Sequence, residues 1–180
     1  MTKLFYSLFA VLILLAGCSD NNSTPKEETE NKEDTATHKE TQKEIVHFIN
    51  NDIAKISAYE TEANDELATV SGDNYSSEDK LYDVLTNKVI PTYEKAVNEA
   101  KNLQVTSSEL EPLKKQMEKA TSTYYDALQL EKEALEKDDE ELFGKSNAKA
   151  QEYLLMMKDY HEDMDKLADK YDIDYQQDSE

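Results

Sequence analysis

The stretch that decides the fold is residues 45–70, which read IVHFINNDIAKISAYETEANDELATV. Apolar side chains recur there at intervals of three and four residues, the spacing that puts them on one face of an α-helix. The pattern ends at residues 71–74, where Gly72 can adopt the left-handed conformation common after a helix. One long amphipathic helix is therefore predicted. Its predicted core positions are Ile45, Ile49, Ile53, Ile56, Tyr59, Ala63, Leu67 and Val70.

Three later stretches repeat this spacing. They follow helix-start signals at residues 76–79, at the capping box of residues 108–111, and at Asp138 with Glu141. Pro91 predicts a kink in the second stretch. The predicted core positions of the three stretches are Leu81, Leu85, Val89, Tyr93, Ala96, Ala100 and Leu103; Leu110, Leu113, Met117, Ala120, Tyr124, Ala127 and Ala134; and Phe143, Ala150, Tyr153, Met157, Tyr160, Met164, Leu167 and Tyr171.

Four long helices joined by short links predict an all-α protein, an antiparallel four-helix bundle with coiled-coil-like packing. We assign residues 45–172 to the bundle and residues 173–180 to an acidic tail. An arrangement of three helices with a separate first helix is the alternative.

Composition excludes several classes of protein. The 180 residues include 20 lysines, no arginine, and 40 aspartates and glutamates, for a net charge of −20. Such a chain is repelled by nucleic-acid phosphates and by anionic lipids, so no nucleic-acid partner is expected. Three glycines, three prolines and no tryptophan disfavour a β-sandwich or barrel. A single cysteine excludes an internal disulfide framework.

Residues 1–15 have the organisation of a secretory signal peptide, in which Lys3 precedes an apolar run from Leu4 to Leu15. The run is too short for a transmembrane helix, which needs roughly 20 apolar residues. We predict that residues 1–17 form a signal peptide.

The signal ends in Leu15-Ala16-Gly17-Cys18, which resembles the lipobox of bacterial lipoproteins at all four positions. The resemblance implies cleavage before Cys18, diacylglycerol on its thiol, and a further acyl chain such as palmitate on its amino group. Lipid chains give stable anchoring because each buried CH₂ contributes about 0.8 kcal/mol. No other cofactor is predicted.

The expected location is the extracytoplasmic face of the cell membrane. Lysine without arginine, with many Asn, Ile and Tyr residues, favours a Gram-positive source. A Gram-negative outer membrane is the alternative, because Ser19 is not the acidic residue that usually retains a lipoprotein at the inner membrane. Residues 18–44 follow as a lipidated cysteine and a polar segment with too few apolar side chains to offset the entropy of ordering. We predict a disordered acidic tether, whose later part could extend the first helix.

Two features of the predicted domain are weak candidates for functional contacts. Alternating helices place residues 72–75 and 137–141 at the end away from the tether, where Tyr75 is a candidate partner contact. His161 and Asp165 are four residues apart and share a helix face, as two metal ligands would. No metal site is predicted from them, because a zincin motif needs a second His and a solvated helix face explains the pair.

The chain contains no nucleophile elbow and no glycine-rich phosphate loop, so we do not expect an enzyme. Leu85 with Pro91-x-Tyr93, and Leu128 with Glu136-Lys137-Asp138, loosely resemble small uncharacterised lipoproteins of Firmicutes, a resemblance that implies no activity. The leading hypothesis is a lipid-anchored binding or interaction module with an unknown envelope protein or ligand as partner. The alternatives are a structural or protective surface protein, for example in phage or toxin exclusion, and a metal- or small-ligand-binding protein that serves a transporter.

Overall fold

The computed structural model describes residues 31–176, and every regular element in this range is helical, so the all-α prediction is confirmed. The lipobox and the first part of the predicted tether lie outside the described residues. No helix within residues 31–176 is long and apolar enough to cross a membrane. The elements are α1 (Asn31–His47), a π-helical turn (Phe48–Ile53), α2 (Ala54–Ala68), a 3₁₀ turn (Gly72–Asn74), α3 (Glu78–Val84), a second π-helical turn (Leu85–Val89), α4 (Ile90–Asn102), α5 (Glu111–Lys137) and α6 (Glu140–Lys170).

Both ends of the predicted bundle extend further than the periodicity indicates. Residues 31–44, which we predict as the end of a disordered tether, are helical, so the first helical segment runs without a break from residue 31 to residue 68. At the other end, Ile173 and Tyr175 of the predicted tail pack against buried apolar residues.

The first π-helical turn brings two core residues onto one face. Phe48 and Ile56 are both buried although they are eight residues apart (56 − 48), which would separate them by about 80° on a regular α-helix. A π-helical bulge takes up an extra residue, so the spacing becomes equivalent to seven residues. Phe48 therefore takes the fully buried position that the periodicity assigns to Ile49, which is only partly buried.

Pro91 lies two residues after Val89, the last residue of the second π-helical turn. Proline has no N–H to donate and its ring clashes with the preceding turn. The Ile90 N–H donates to the carbonyl of Leu85, five residues back instead of four. The disturbance predicted at Pro91 thus takes the form of a widened helical turn, and Leu85 and Tyr93 on either side of it are both buried.

The helix caps agree only partly with the sequence signals. Ser77 caps α3 as predicted, because its hydroxyl accepts a backbone N–H of the first turn. Asp139, one residue after the predicted Asp138, caps α6 by accepting two backbone N–H groups. The capping box predicted at residues 108–111 is wrong, since the cap position of α5 is Leu110, which has no side-chain hydrogen bond there.

Polar contacts show how neighbouring helices are aligned. In each pair of packed helices, residues later in the first helix contact residues earlier in the second helix. The pairs are Lys55–Glu99 and Glu66–Lys88 between α2 and the α3–α4 segment, and Gln116–Asp163 and Asp126–Lys149 between α5 and α6.

The core consists of two apolar clusters at different heights along the helices, which we call the lower cluster and the upper cluster. The lower cluster is built around Phe48, Met117 and Tyr160 and takes buried residues from α1, α2, α4, α5 and α6. The upper cluster is built around Leu85 and Tyr93 and, among the described residues, takes nothing from α6. The amino-terminal half of α6 is therefore packed less completely than its carboxy-terminal half.

The first four predicted core positions of α6 show the difference. Phe143, Ala150, Tyr153 and Met157 are only partly buried, whereas the later positions from Tyr160 onward are buried. The prediction that all of them are core positions is wrong for Phe143 and Ala150, whereas Met157 packs, partly buried, against the lower cluster and the Tyr153 ring packs against Tyr124. The reason is that helical periodicity defines a face but not the neighbour that covers it.

Candidate interaction surface

The most exposed large apolar side chains of the described residues lie together on α6. Leu154 is 57% exposed and Leu155 is 66% exposed. Isolated apolar residues are common on protein surfaces. Two adjacent exposed leucines on a half of α6 that contributes nothing to the upper cluster are instead typical of a surface that packs against a partner.

These leucines belong to a longer uncharged surface, which we call the neutral stripe. It comprises the exposed residues Gly144, Asn147, Ala148, Gln151, Leu154 and Leu155. Their spacing keeps them within about a third of the helix circumference over three turns. The stripe is unusual because 33% of the whole chain is charged, while no charged residue belongs to it.

Gly144 shows that nothing covers the upper end of the stripe within the described structure. A Cβ added at Gly144 would meet no atom within 4 Å. Glycine inside a helix costs about 1 kcal/mol relative to alanine, and the described neighbours of Gly144 give no packing reason for it. A small residue in an open helix face permits close approach of another backbone.

Tyr75, the candidate partner contact, lies in the link between the 3₁₀ turn and α3 and is 50% exposed. The Tyr82 hydroxyl donates to Glu136 Oε1 at 2.5 Å, which ties the start of α3 to the end of α5. This contact places the links around Tyr75 and residues 138–139 at the same end of the molecule. Tyr75 and the neutral stripe are separate exposed features.

A partly buried carboxylate connects three helices in the middle of the protein. The Tyr93 hydroxyl of α4 donates to Glu60 Oε1 of α2 at 2.6 Å, and the Tyr153 hydroxyl of α6 donates to the same oxygen at 3.2 Å. The Tyr124 ring of α5 lies between the other two rings, with centroid distances of 4.9 Å to each. Glu60 was not singled out from the sequence, although it lies between the core positions Ile56 and Ala63.

The surroundings of Glu60 favour its uncharged form. Burial raises the pKa of the Glu60 carboxyl above its usual value, and the hydrogen bonds from Tyr93 and Tyr153 oppose this shift. Burial and the nearby Glu60 raise the pKa of both tyrosines, so their hydroxyls remain donors. Because the rings pack against one another and both hydroxyls are used, this cluster is a filled polar layer of the core.

Of the candidate metal ligands, His161 contacts the carboxy-terminal segment, and Asp165 lies half-buried one turn further along α6. His161 Nδ1 lies 2.7 Å from the Tyr175 hydroxyl, and its ring contacts the buried Tyr160. A search of the described residues finds no group of three or more His, Cys, Asp or Glu side chains that could hold a metal ion. The described geometry therefore gives His161 a role in holding the terminal segment.

A cleft of about 580 Å³ lies at the end opposite to Tyr75. Its wall includes Glu44, which accepts the backbone N–H groups of Thr106 and Ser107. Burial raises the pKa of Glu44, but these hydrogen bonds outweigh it and hold the pKa below its usual value. A second wall residue, Glu109, binds Lys170 Nζ at 2.7 Å. Both carboxylates thus hold this end of the molecule together.

Comparison with known proteins adds no assignment. No protein-family model matches the chain, and no curated protein or solved structure shows significant similarity to it.

The neutral stripe was not predicted from the sequence. The signal that could have identified it is a run of uncharged residues at helical spacing, from Gly144 to Leu155, on the side of α6 away from the predicted core.

Proposed function

We propose that this protein is a lipid-anchored lipoprotein of the bacterial cell envelope whose helical domain is a non-enzymatic interaction module on the extracytoplasmic face of the membrane. The observation that carries the interaction role is the exposed leucine pair, Leu154 and Leu155, on a half of α6 that contributes no residue to the upper cluster. The anchor rests on the similarity of residues 15–18 to a lipobox.

The proposed architecture is an antiparallel four-helix bundle made of the segments 31–68, 78–102, 111–137 and 140–170. Contact pairs in opposite order along neighbouring helices support it. The Glu60–Tyr153 hydrogen bond supports the closure of the bundle between its first and last segments.

A binding role is favoured over catalysis by the state of the titratable groups. The partly buried carboxylate of Glu60 accepts two tyrosine hydroxyls, and His161 is held against Tyr175. A general acid or base needs to reach a substrate proton within hydrogen-bond distance. These two groups are instead used inside the fold.

Metabolic labelling with a palmitate analogue tests the anchor. The wild-type protein is expected to incorporate label and to fractionate with membranes, while Cys18→Ala is expected to incorporate none. Ser19→Ala is the matched control and should label like the wild type. Label on the Cys18→Ala variant, or an unlabelled wild-type protein, would contradict the lipoprotein assignment.

Crosslinking in intact cells tests the interaction role. Changing both Leu154 and Leu155 to Glu should leave the helical circular dichroism spectrum unchanged, because both side chains are exposed, and should remove the crosslinked complexes of the protein. Complexes that persist unchanged in this variant would show that α6 is not the binding surface.

A further inference from the structure

We propose that residues 31–44 of α1, which we call the arm, switch between the docked helix of this structure and an undocked, unfolded segment while the rest of the protein stays folded. Undocking lengthens the chain between the lipid anchor and the bundle, and so sets how far the domain reaches from the membrane. The change in reach rests on the proposed anchor at Cys18.

The arm contributes no side chain to the apolar core within the described structure. Its residues 36–44 read ATHKETQKE, and none of them is buried. The lower cluster begins at Ile45, and the upper cluster takes no described residue from α1. A helical segment that is polar on every side gains no stability from burying an apolar face. The arm therefore depends on its polar contacts with the bundle.

Tyr171, at the end of α6, makes the first attachment of the arm. The Tyr171 ring lies 4.6 Å from the His38 ring, measured between centroids, and the Tyr171 carbonyl accepts the Gln42 side-chain amide at 2.6 Å. His38 and Gln42 are four residues apart, so they lie on the same face of the helix. The Tyr171 hydroxyl donates to Glu109 Oε1 at 2.8 Å. The bundle thus fixes Tyr171, and Tyr171 holds the arm at two positions.

Glu44 makes the second attachment, at the end of the arm nearest the core. Its carboxylate accepts the backbone N–H groups of Thr106 and Ser107 and the Thr106 hydroxyl. The cleft of about 580 Å³ lies between the arm and this link, where a firmly packed helix would have an apolar interface. Water can replace each of these hydrogen bonds when the arm leaves, so their net contribution to stability is small. Contacts of this kind allow a segment to open locally.

Undocking changes the length of the arm. The 14 residue steps from Asn31 to Ile45 (45 − 31) span about 21 Å as a helix and up to about 49 Å as an extended chain. The opening stops at Ile45 and Phe48, because both side chains are buried in the lower cluster. The reach from an anchor at Cys18 therefore increases by up to about 28 Å.

Hydrogen–deuterium exchange of the full chain in detergent tests the docking step. Amides of residues 36–44 should be protected in the wild type, yet exchange at least about tenfold faster than the core of α5. Gln42→Ala with Glu44→Ala removes the hydrogen bonds of both attachments and should speed exchange in the arm by about tenfold more, with α5 unchanged. Lys39→Ala with Glu40→Ala changes two exposed residues of the same helix and should stay within about twofold of the wild type.

Three results would overturn the proposal. An arm that exchanges as slowly as α5 opens only when the whole protein unfolds. An arm with no protection in the wild type does not dock. Equal exchange in the two double variants would mean that the attachments at Gln42 and Glu44 do not hold the arm.

Energy transfer in membranes tests the change in reach separately. A donor on Gln104→Cys, an exposed position in the link before α5, should transfer less energy to an acceptor lipid when Gln42 and Glu44 are changed to Ala. The chain without Gln104→Cys reports any reaction of Cys18. Equal transfer with and without the two changes contradicts the change in reach and leaves the docking step standing. Fast exchange of the arm in a protein that takes up no palmitate label contradicts the anchor and the reach, but not the docking step.

Discussion

Glu60 is a core carboxylate that accepts hydrogen bonds from two tyrosine hydroxyls. The direction of its pKa shift predicts how the stability of the protein depends on pH. A group whose pKa is higher in the folded than in the unfolded protein adds stability below its unfolded pKa, and this contribution is lost as pH rises through the folded pKa. Glu60 is in this category because burial raises its pKa. Charging it at neutral pH therefore works against the fold.

We expect Glu60→Gln to be more stable relative to the wild type at pH 7 than at pH 4. Glutamine keeps an oxygen that can accept the Tyr93 hydroxyl but carries no charge. Thermal unfolding followed by circular dichroism across this pH range measures the difference. Glu62→Gln, on the same helix but exposed, is the matched control. A melting-temperature difference between wild type and Glu60→Gln that does not change with pH would show that Glu60 has the same pKa folded and unfolded.

At the scale of elements, the π-helical turn Phe48–Ile53 sets the register between the two halves of the first helical segment. It allows Phe48 and Ile56 to be buried on one face at a spacing that a regular α-helix would not permit. The π-helical turn contains the one residue more than a regular α-helix would have at this point.

Deletion of Asn51 tests this role. Asn51 is exposed within the turn, so its loss should convert the turn to regular α-helix and keep Phe48 and Ile56 on the core face. We expect a folded protein with a melting temperature close to that of the wild type. Deletion of Thr61, which is exposed in the regular helix α2, should instead rotate the preceding core residues by about 100° and unfold the domain. Equal damage from both deletions would contradict the interpretation.

At the scale of the whole molecule, the net charge of −20 is a source of self-repulsion within each folded chain. Salt screens the interaction between exposed charges that are more than about 10 Å apart at 0.1 M and more than about 3 Å apart at 1 M. The surface ion pairs, such as Lys145–Glu141, are exposed and individually contribute little.

We therefore expect the melting temperature to rise between 0.01 and about 0.5 M NaCl, the range over which screening removes most long-range repulsion. The measurement uses the purified, detergent-solubilised protein at one fixed concentration. A melting temperature that falls with salt would mean that attractive ion pairs outweigh the repulsion.

Part of the fold could be predicted from individual residues. A helix start was predicted at residues 76–79, where Ser77 caps α3, because capping arises within one helical turn. The exchange of Ile49 for Phe48 in the core could not be predicted, since it depends on a π turn that the local pattern does not reveal. The burial of Glu60 was also missed, because it depends on tyrosines from α4 and α6.

The sequence by itself determined that the domain is all-helical, where its helical segments lie apart from the extension of the first one to residue 31, and which residues resemble a lipobox. These properties follow from local spacing and short motifs, which need no knowledge of neighbours. The tertiary structure alone decided that the amino-terminal half of α6 keeps Leu154 and Leu155 in solvent and that Glu60 lies inside. Both depend on which helix covers which face, and packing between distant segments sets that choice.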